Sequence, residues 1–175
     1  MIYYDLEEVL LKVDRLFWED KYVLAKRLLQ KVLEDEPGYG PVHYKLGWLY
    51  WWRLDDCENA EMHFKLALKF SPGYPMTYYG YAVFLNEVND SAALGRLVTK
   101  AMKVKGVNRF FMHNELGKSL EMNGAFDKAV KEYKTALRYT LIAYEMDQLK
   151  GNIDRVNVKM YDASIPATFH SAALK

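Results

Sequence analysis

The stretch His43-Tyr44-Lys45-Leu46-Gly47-Trp48-Leu49-Tyr50, followed by Ala60-x-x-x-Phe64-x-x-Ala67 and then Pro72, decides how this chain is read. Its apolar residues recur at steps of three and four, the spacing of one helix face. Gly47 sits on that face, where the missing side chain lets a second helix approach closely. Ala60 and Ala67 do the same from the second helix, and Phe64 between them fills the space so created. Pro72 ends the second helix, because proline lacks the N–H donor and biases its predecessor away from helix. Leu54-Asp55-Asp56 provides the turn between the two helices, with Asp56 placed to cap the one that follows.

Working outward, the same pattern returns. His113-x-x-Leu116-Gly117-x-x-Leu120 precedes Ala129-x-x-x-Tyr133-x-x-Ala136, and Tyr78-x-x-Tyr81-Ala82-x-x-Leu85 precedes Leu94-x-x-x-Val98-x-x-Ala101. A degenerate first copy carries Val9, Val13 and Leu16, then Ala25-x-x-x-Leu29-x-x-Val32 and Pro37. The anchors Ala25, Ala60, Leu94 and Ala129 are spaced 35, 34 and 35 residues apart. Four copies in phase resemble the tetratricopeptide repeat, a helix–turn–helix unit of about 34 residues. The resemblance implies an all-α, right-handed solenoid with repeats over about 5–37, 40–72, 75–106 and 109–140. Leu46, Gly47, Tyr50, Ala82, Leu116 and Gly117 are then packing positions of first helices. Lys12 and Val13 depart from the usual Leu-Gly pair, as a terminal repeat with a free outer face tolerates.

Past Leu141 the repeat stops. Ile142, Met146, Leu149, Ile153, Val156 and Met160 follow at steps of 4, 3, 4, 3 and 4, an amphipathic helix over 141–161. It reads as a cap on the fourth repeat or as a seam for self-association, since a 3.5-residue period also suits coiled coils. Residues 162–175, with Pro166 and scattered small residues, read as an irregular tail.

Composition narrows the function. With 51% apolar and 27% charged residues, the chain is an ordinary folded protein. Its net charge of +1 makes no case for nucleic acid or a membrane surface. Charge is unevenly placed: −3 over 1–70, +4 over 71–140 and 0 beyond. One cysteine, Cys57, allows no internal disulfide and no cysteine-based metal site. The first residues lack the order of a signal peptide, and no apolar run reaches the roughly 18 residues of a spanning helix. A cytoplasmic protein is expected. Asn89-Asp90-Ser91 matches a glycosylation acceptor and, without a secretion signal, is read as chance.

No catalytic constellation emerges, and no metal or cofactor is expected. His43 and His113 occupy equivalent repeat positions, where Tyr78 stands in the third copy, which assigns them to packing between paired helices. His63 and His170 have no ligand partner at a suitable step. Lys100, Lys103, Lys105 and Arg109 read as a solvated helix edge rather than a phosphate site.

The 14 Tyr, 8 Phe and 4 Trp are more than thin helices can hide. In tetratricopeptide arrays the first helices line a concave groove, which the resemblance places at Leu10, Asp14, Phe17 and Trp18, then Tyr44, Trp48, Trp51 and Trp52. The third copy adds Met76, Tyr79, Val83, Asn86 and Glu87, and the fourth Phe111, Asn114, Lys118, Glu121 and Met122. The peptide-binding residues expected among these are Phe17, Tyr44, Trp48, Trp51, Trp52, Tyr79, Val83, Asn86, Asn114 and Lys118. The Lys, Asn and Arg set of a carboxylate clamp is missing from the matching places. The sequence therefore predicts a non-enzymatic module that binds an apolar or aromatic peptide, or a helix, of another protein. The alternative is a self-assembling scaffold (a homo-oligomer joined through its oppositely charged ends) or a regulatory subunit of a larger complex.

Overall fold

A computed structural model describes residues 5–164, and these form nine helices with no strand among them. In chain order they are α1 (Leu6–Trp18), α2 (Tyr22–Asp35), α3 (Gly40–Leu54), α4 (Cys57–Phe70) and α5 (Pro75–Glu87). There follow α6 (Ser91–Ala101), α7 (Arg109–Met122), α8 (Phe126–Leu137) and α9 (Ala143–Ser164). The all-α expectation holds. The chain divides into two compact units, the first running to Phe84 with Val104–Gly106, the second comprising Leu85–Lys103 and the chain from Val107 onward.

Each turn between the two helices of a repeat passes through a left-handed residue. These are Asp20, Asp55, Asn89 and Gly124, with φ of 55°, 49°, 59° and 70°, at intervals of 35, 34 and 35 residues. Asp, Asn and Gly tolerate this conformation best, because a short polar side chain or none avoids the Cβ clash. Side-chain caps start several helices: Asp5 accepts from the Glu7 and Glu8 amides, Asp56 from Asn59, Asp90 from Ala93 and Asn108 from Phe111. Each such cap satisfies an amide that the helix leaves unpaired.

In the first unit, Val9, Val13, Ala25, Leu29 and Val32 of α1 and α2 form a core with Val42 and Leu46 of α3. The α3–α4 pair closes on Gly47, where a Cβ would lie 3.0 Å from the Phe64 ring. Phe64 is fully buried and stacks on Tyr81 at 5.4 Å and against Phe84 at 5.6 Å. Ala60 and Ala67 flank it, also fully buried. Two bonds show the repeat at atomic detail. The His43 Nε2–H donates to the Pro37 carbonyl at 3.0 Å, and the Tyr78 hydroxyl donates to the Pro72 carbonyl at 2.8 Å. His43 thus does the structural work that Tyr78 does one repeat later.

That bond also fixes a tautomer. With Nε2 donating, His43 Nδ1 must accept, so His63 Nδ1–H donates to it across the 2.9 Å separating them. His63 is buried, stacked on Tyr50 at 5.3 Å, and burial, with the neighbouring His43 and Lys26, holds its pKa down to about 4 from 6.5. Between these two values the unfolded chain binds a proton that the folded one refuses. Stability is therefore complete above pH 6.5 and falls as pH drops toward 4. We expect a loss of about 2–3 kcal/mol from this residue over that interval. Urea melts at pH 7 and pH 4.5 should show it as the difference between wild type and His63→Gln, and parallel pH responses would refute it.

In the second unit, α7 is buried on nearly every side, and a Cβ on its Gly117 would lie 2.6 Å from the Tyr133 ring of α8. Helix α9 lays Leu149 and Val156 on Phe110, Ala129, Tyr133 and Ala136, with Ile153 and Met160 beside them. Ile142 departs from the expected stripe: it precedes α9 and is exposed. The helix also continues through residues 162–164, which had been expected to begin an irregular tail. The rest of that tail, 165–175, lies outside the described residues, as does His170.

A second, polar stripe on α9 was not foreseen. Arg155 reaches Glu121 of α7 with two donors, Nε at 2.8 Å and Nη2 at 2.7 Å, and Lys159 adds a third contact at 2.7 Å. The Tyr133 hydroxyl donates to the same carboxylate at 2.8 Å. The Arg155 fork, with Lys159 and Tyr133, holds the Glu121 pKa at about 2 against the cost of burial.

Candidate functional site

The candidate site lies in the first unit, where the end of α1, the start of α2 and the C-terminal half of α3 enclose a cavity of about 660 Å³. Helix α1 contributes Asp14, Phe17 and Trp18, the turn and α2 contribute Asp20 and Tyr22, and α3 contributes Trp48, Leu49, Trp52 and Arg53. Each is there for a local reason. Residues 14, 17 and 18 share one face of α1 at helical spacing, as do 48, 49, 52 and 53 on α3. Asp20 and Tyr22 follow from the left-handed turn.

The indoles differ in availability. Trp18 is 89% exposed and Trp52 is 56% exposed. Trp48 is half-buried because one side rests on α5: a Cβ on Gly80 would stand 3.1 Å from its Nε1 and 2.8 Å from the Tyr44 ring. Its other neighbours are Trp51 at 5.3 Å and Trp52 at 5.4 Å. The charged groups at the rim are largely spoken for. Lys45 pairs with Asp14, and Arg53 lies 3.4 Å from Asp20 and 4.3 Å from the Tyr22 ring centre. The Tyr22 hydroxyl bonds Asp20, which raises its pKa. Aromatic walls with a paired ionic rim can hold an apolar segment and exchange rim partners with its flanks.

Of the peptide-binding residues expected from the sequence, the structure brings Phe17, Trp48 and Trp52 together here, beside Asp14 and Trp18 of the expected groove lining. Trp51 is a correction: it is 6% exposed, its ring edge-on to Phe84 at 5.9 Å, so packing consumes the surface a ligand would need. Tyr44 is also turned inward, packed on Tyr74 at 5.8 Å, and burial pushes its pKa up to about 12. The Tyr79 hydroxyl donates to the Gly106 carbonyl at 3.2 Å, and Val83 is half-buried.

The remaining three belong to the second unit. Asn86 donates to the Glu115 carboxylate at 2.7 Å, and Lys118 pairs with it at 2.6 Å. Asn114 is buried and faces Asn152 of α9 at 3.5 Å, and Glu121 is likewise buried toward α9 rather than open to a ligand. Sequence reasoning missed Asp20, Leu49, Tyr22 and Arg53 at the cavity, and only the last two left a trace in the sequence. Their signal was the pairing of an aromatic just after one turn with a basic residue just before the next, visible only once the two helices are placed. Among the described residues no group of three or more His, Cys, Asp or Glu could hold a metal ion, and no helix is long and apolar enough to cross a membrane.

The helical hairpins, their glycine–aromatic contacts and the recurring left-handed turns define the tetratricopeptide-type repeat fold. No protein-family model and no curated protein sequence matches the chain. Solved tetratricopeptide-repeat structures do match it. PilF of Pseudomonas aeruginosa superposes with a TM-score of 0.74 at 15% identity, covering 89% of this chain and 69% of that one. PilW, a widely conserved type IV pilus biogenesis factor, gives 0.67 at 16% identity, with coverages of 88% and 79%. A double mutant of MamA RS-1 gives 0.72 at 16% identity, with coverages of 90% and 86%. At such identities the likeness establishes the fold.

Proposed function

We propose that this chain is a non-enzymatic interaction module that holds an apolar or aromatic segment of a protein in the Trp18–Trp52 cavity. Four repeats serve as the scaffold and α9 as the cap on the fourth. The observation that carries the reading is the pair of exposed indoles facing one cavity, since a large apolar patch on a water-soluble surface marks a contact site. A Trp side chain carries roughly 150–250 Å². Burying half of one against a ligand contributes about 2–3 kcal/mol at ~25 cal/mol per Å². Ordering the segment offsets part of this.

Micromolar binding of short Leu-, Phe- or Trp-containing peptides follows, read by tryptophan fluorescence. Trp52→Ala and Trp48→Ala should each weaken it at least tenfold at unchanged helicity. Trp51→Ala should instead lower stability. Undiminished peptide binding by a Trp18→Ala/Trp52→Ala double variant would remove the cavity from the account.

A further inference from the structure

The second unit carries a feature that neither packing nor the cavity uses. Between α8 and α9 the chain reads Arg138-Tyr139-Thr140-Leu141-Ile142-Ala143-Tyr144, and Leu141 is 98% exposed, with Ile142 and Tyr144 also in solvent. This is not a loose loop. The Thr140 hydroxyl bonds the Glu145 carboxylate and accepts from the Ile142 amide at 3.1 Å, so the turn presenting Leu141 is fixed. Tyr139 stacks on His113 at 5.6 Å, under the Arg109 guanidinium at 5.5 Å. The result is an exposed apolar knob on a hydrogen-bonded turn, with Arg138 just before it in the chain and Arg109 over the neighbouring Tyr139 ring. A backbone turn that is already formed loses little chain entropy on docking.

The cavity is the counterpart of this knob in three respects. It is walled by aromatic rings, it is large enough for several apolar side chains, and the exposed carboxylates at its rim, Asp14 paired with Lys45 and Asp20 with Arg53, can exchange those partners for incoming arginines. Charge follows the same division along the chain, −3 over 1–70 and +4 over 71–140. We infer that the Leu141–Ile142 knob of one copy docks in the Trp18–Trp52 cavity of the next, with Arg138 and Arg109 toward Asp14 and Asp20. Knob and cavity are different surfaces, so the contact is heterologous and joins copies head to tail. The interface is small, below the area of stable complexes, so assembly is concentration-dependent. This inference rests on the docking role of the cavity and names its occupant.

The test is sedimentation of the full chain, Leu141→Asp, the Trp18→Ala/Trp52→Ala double variant, and an equimolar mixture of the two variants. All the substituted side chains are exposed, so folding is retained and is checked by circular dichroism. Wild type should show a weight-average mass that rises with concentration past the dimer, and each variant alone should remain a monomer. The mixture has one intact knob and one intact cavity, so it should form a 1:1 dimer and stop there. Raising salt from about 0.05 to 0.5 M should weaken wild-type association several-fold through screening of the rim charges. Wild type that stays monomeric up to about 1 mM, yet still binds foreign apolar peptides, would overturn the inference and leave the docking role standing. Self-association of Leu141→Asp equal to wild type, or a monomeric mixture beside an associating wild type, would overturn it as well. Loss of peptide binding altogether would instead remove the docking role itself.

Discussion

Phe64→Ala is expected to cost about 3–5 kcal/mol, among the largest effects available to a single substitution in this chain. The ring is fully buried, touches Tyr44, Tyr81 and Phe84, and lies where a Cβ on Gly47 would come within 3.0 Å. Its removal opens a void lined by groups from three helices that cannot all relax into it. The contact with Gly47 supplies a sharper check. Gly47→Leu alone overpacks the same space and should cost about 1–3 kcal/mol. In the Phe64→Ala background the added leucine fills the void, so the double variant should be more stable than the sum of the two losses. Urea unfolding of the four proteins measures this coupling, and strict additivity would mean that Gly47 and Phe64 do not share one cavity.

Removing residues 141–175 is the other large perturbation. It uncovers Ala129, Tyr133 and Ala136, and it loses the burial of Leu149 and Val156, each worth about 1.5–3 kcal/mol. It also strips Arg155 and Lys159 from Glu121, leaving that carboxylate only the neutral Tyr133 hydroxyl of the partners it has in the full chain. A loss of about 3–6 kcal/mol is expected, together with lower solubility. The pH response of that loss has a definite sign. The Glu121 pKa is depressed to about 2, so its contribution is complete above the ordinary carboxylate range and disappears as pH falls toward 2. A truncated protein that melts like the full chain at pH 7 would show that α9 does not cap α8.

The fold was legible because repetition multiplies a weak signal. Ala25, Ala60, Leu94 and Ala129, picked out by spacing alone, are all fully buried, and Gly47 and Gly117 both face the aromatic of the second helix. The candidate site was legible only in outline. Three tryptophans at 48, 51 and 52 crowd one face of α3, and an offset rule cannot say which of them α5 will cover. Gly80 draws Trp48 partly in and Phe84 takes Trp51, which leaves Trp52 outside. The buried charges were not legible at all. Glu121 reads in sequence as a groove-facing residue of the fourth repeat, whereas its partners Arg155 and Lys159 lie 34 and 38 positions away on α9. His63 was set aside as unremarkable for the same reason, since its partner His43 belongs to the other helix of the pair.

The left-handed residues at 20, 55, 89 and 124 carry one further consequence. A deletion or duplication bounded by two of them rejoins the backbone in the same conformation it left, with the same helix order on either side. No new turn has to arise, and neighbouring units supply the surfaces that an inserted one must meet. The length of such a chain is therefore free to drift by whole hairpins, while a change of a few residues inside one would displace every helix that follows.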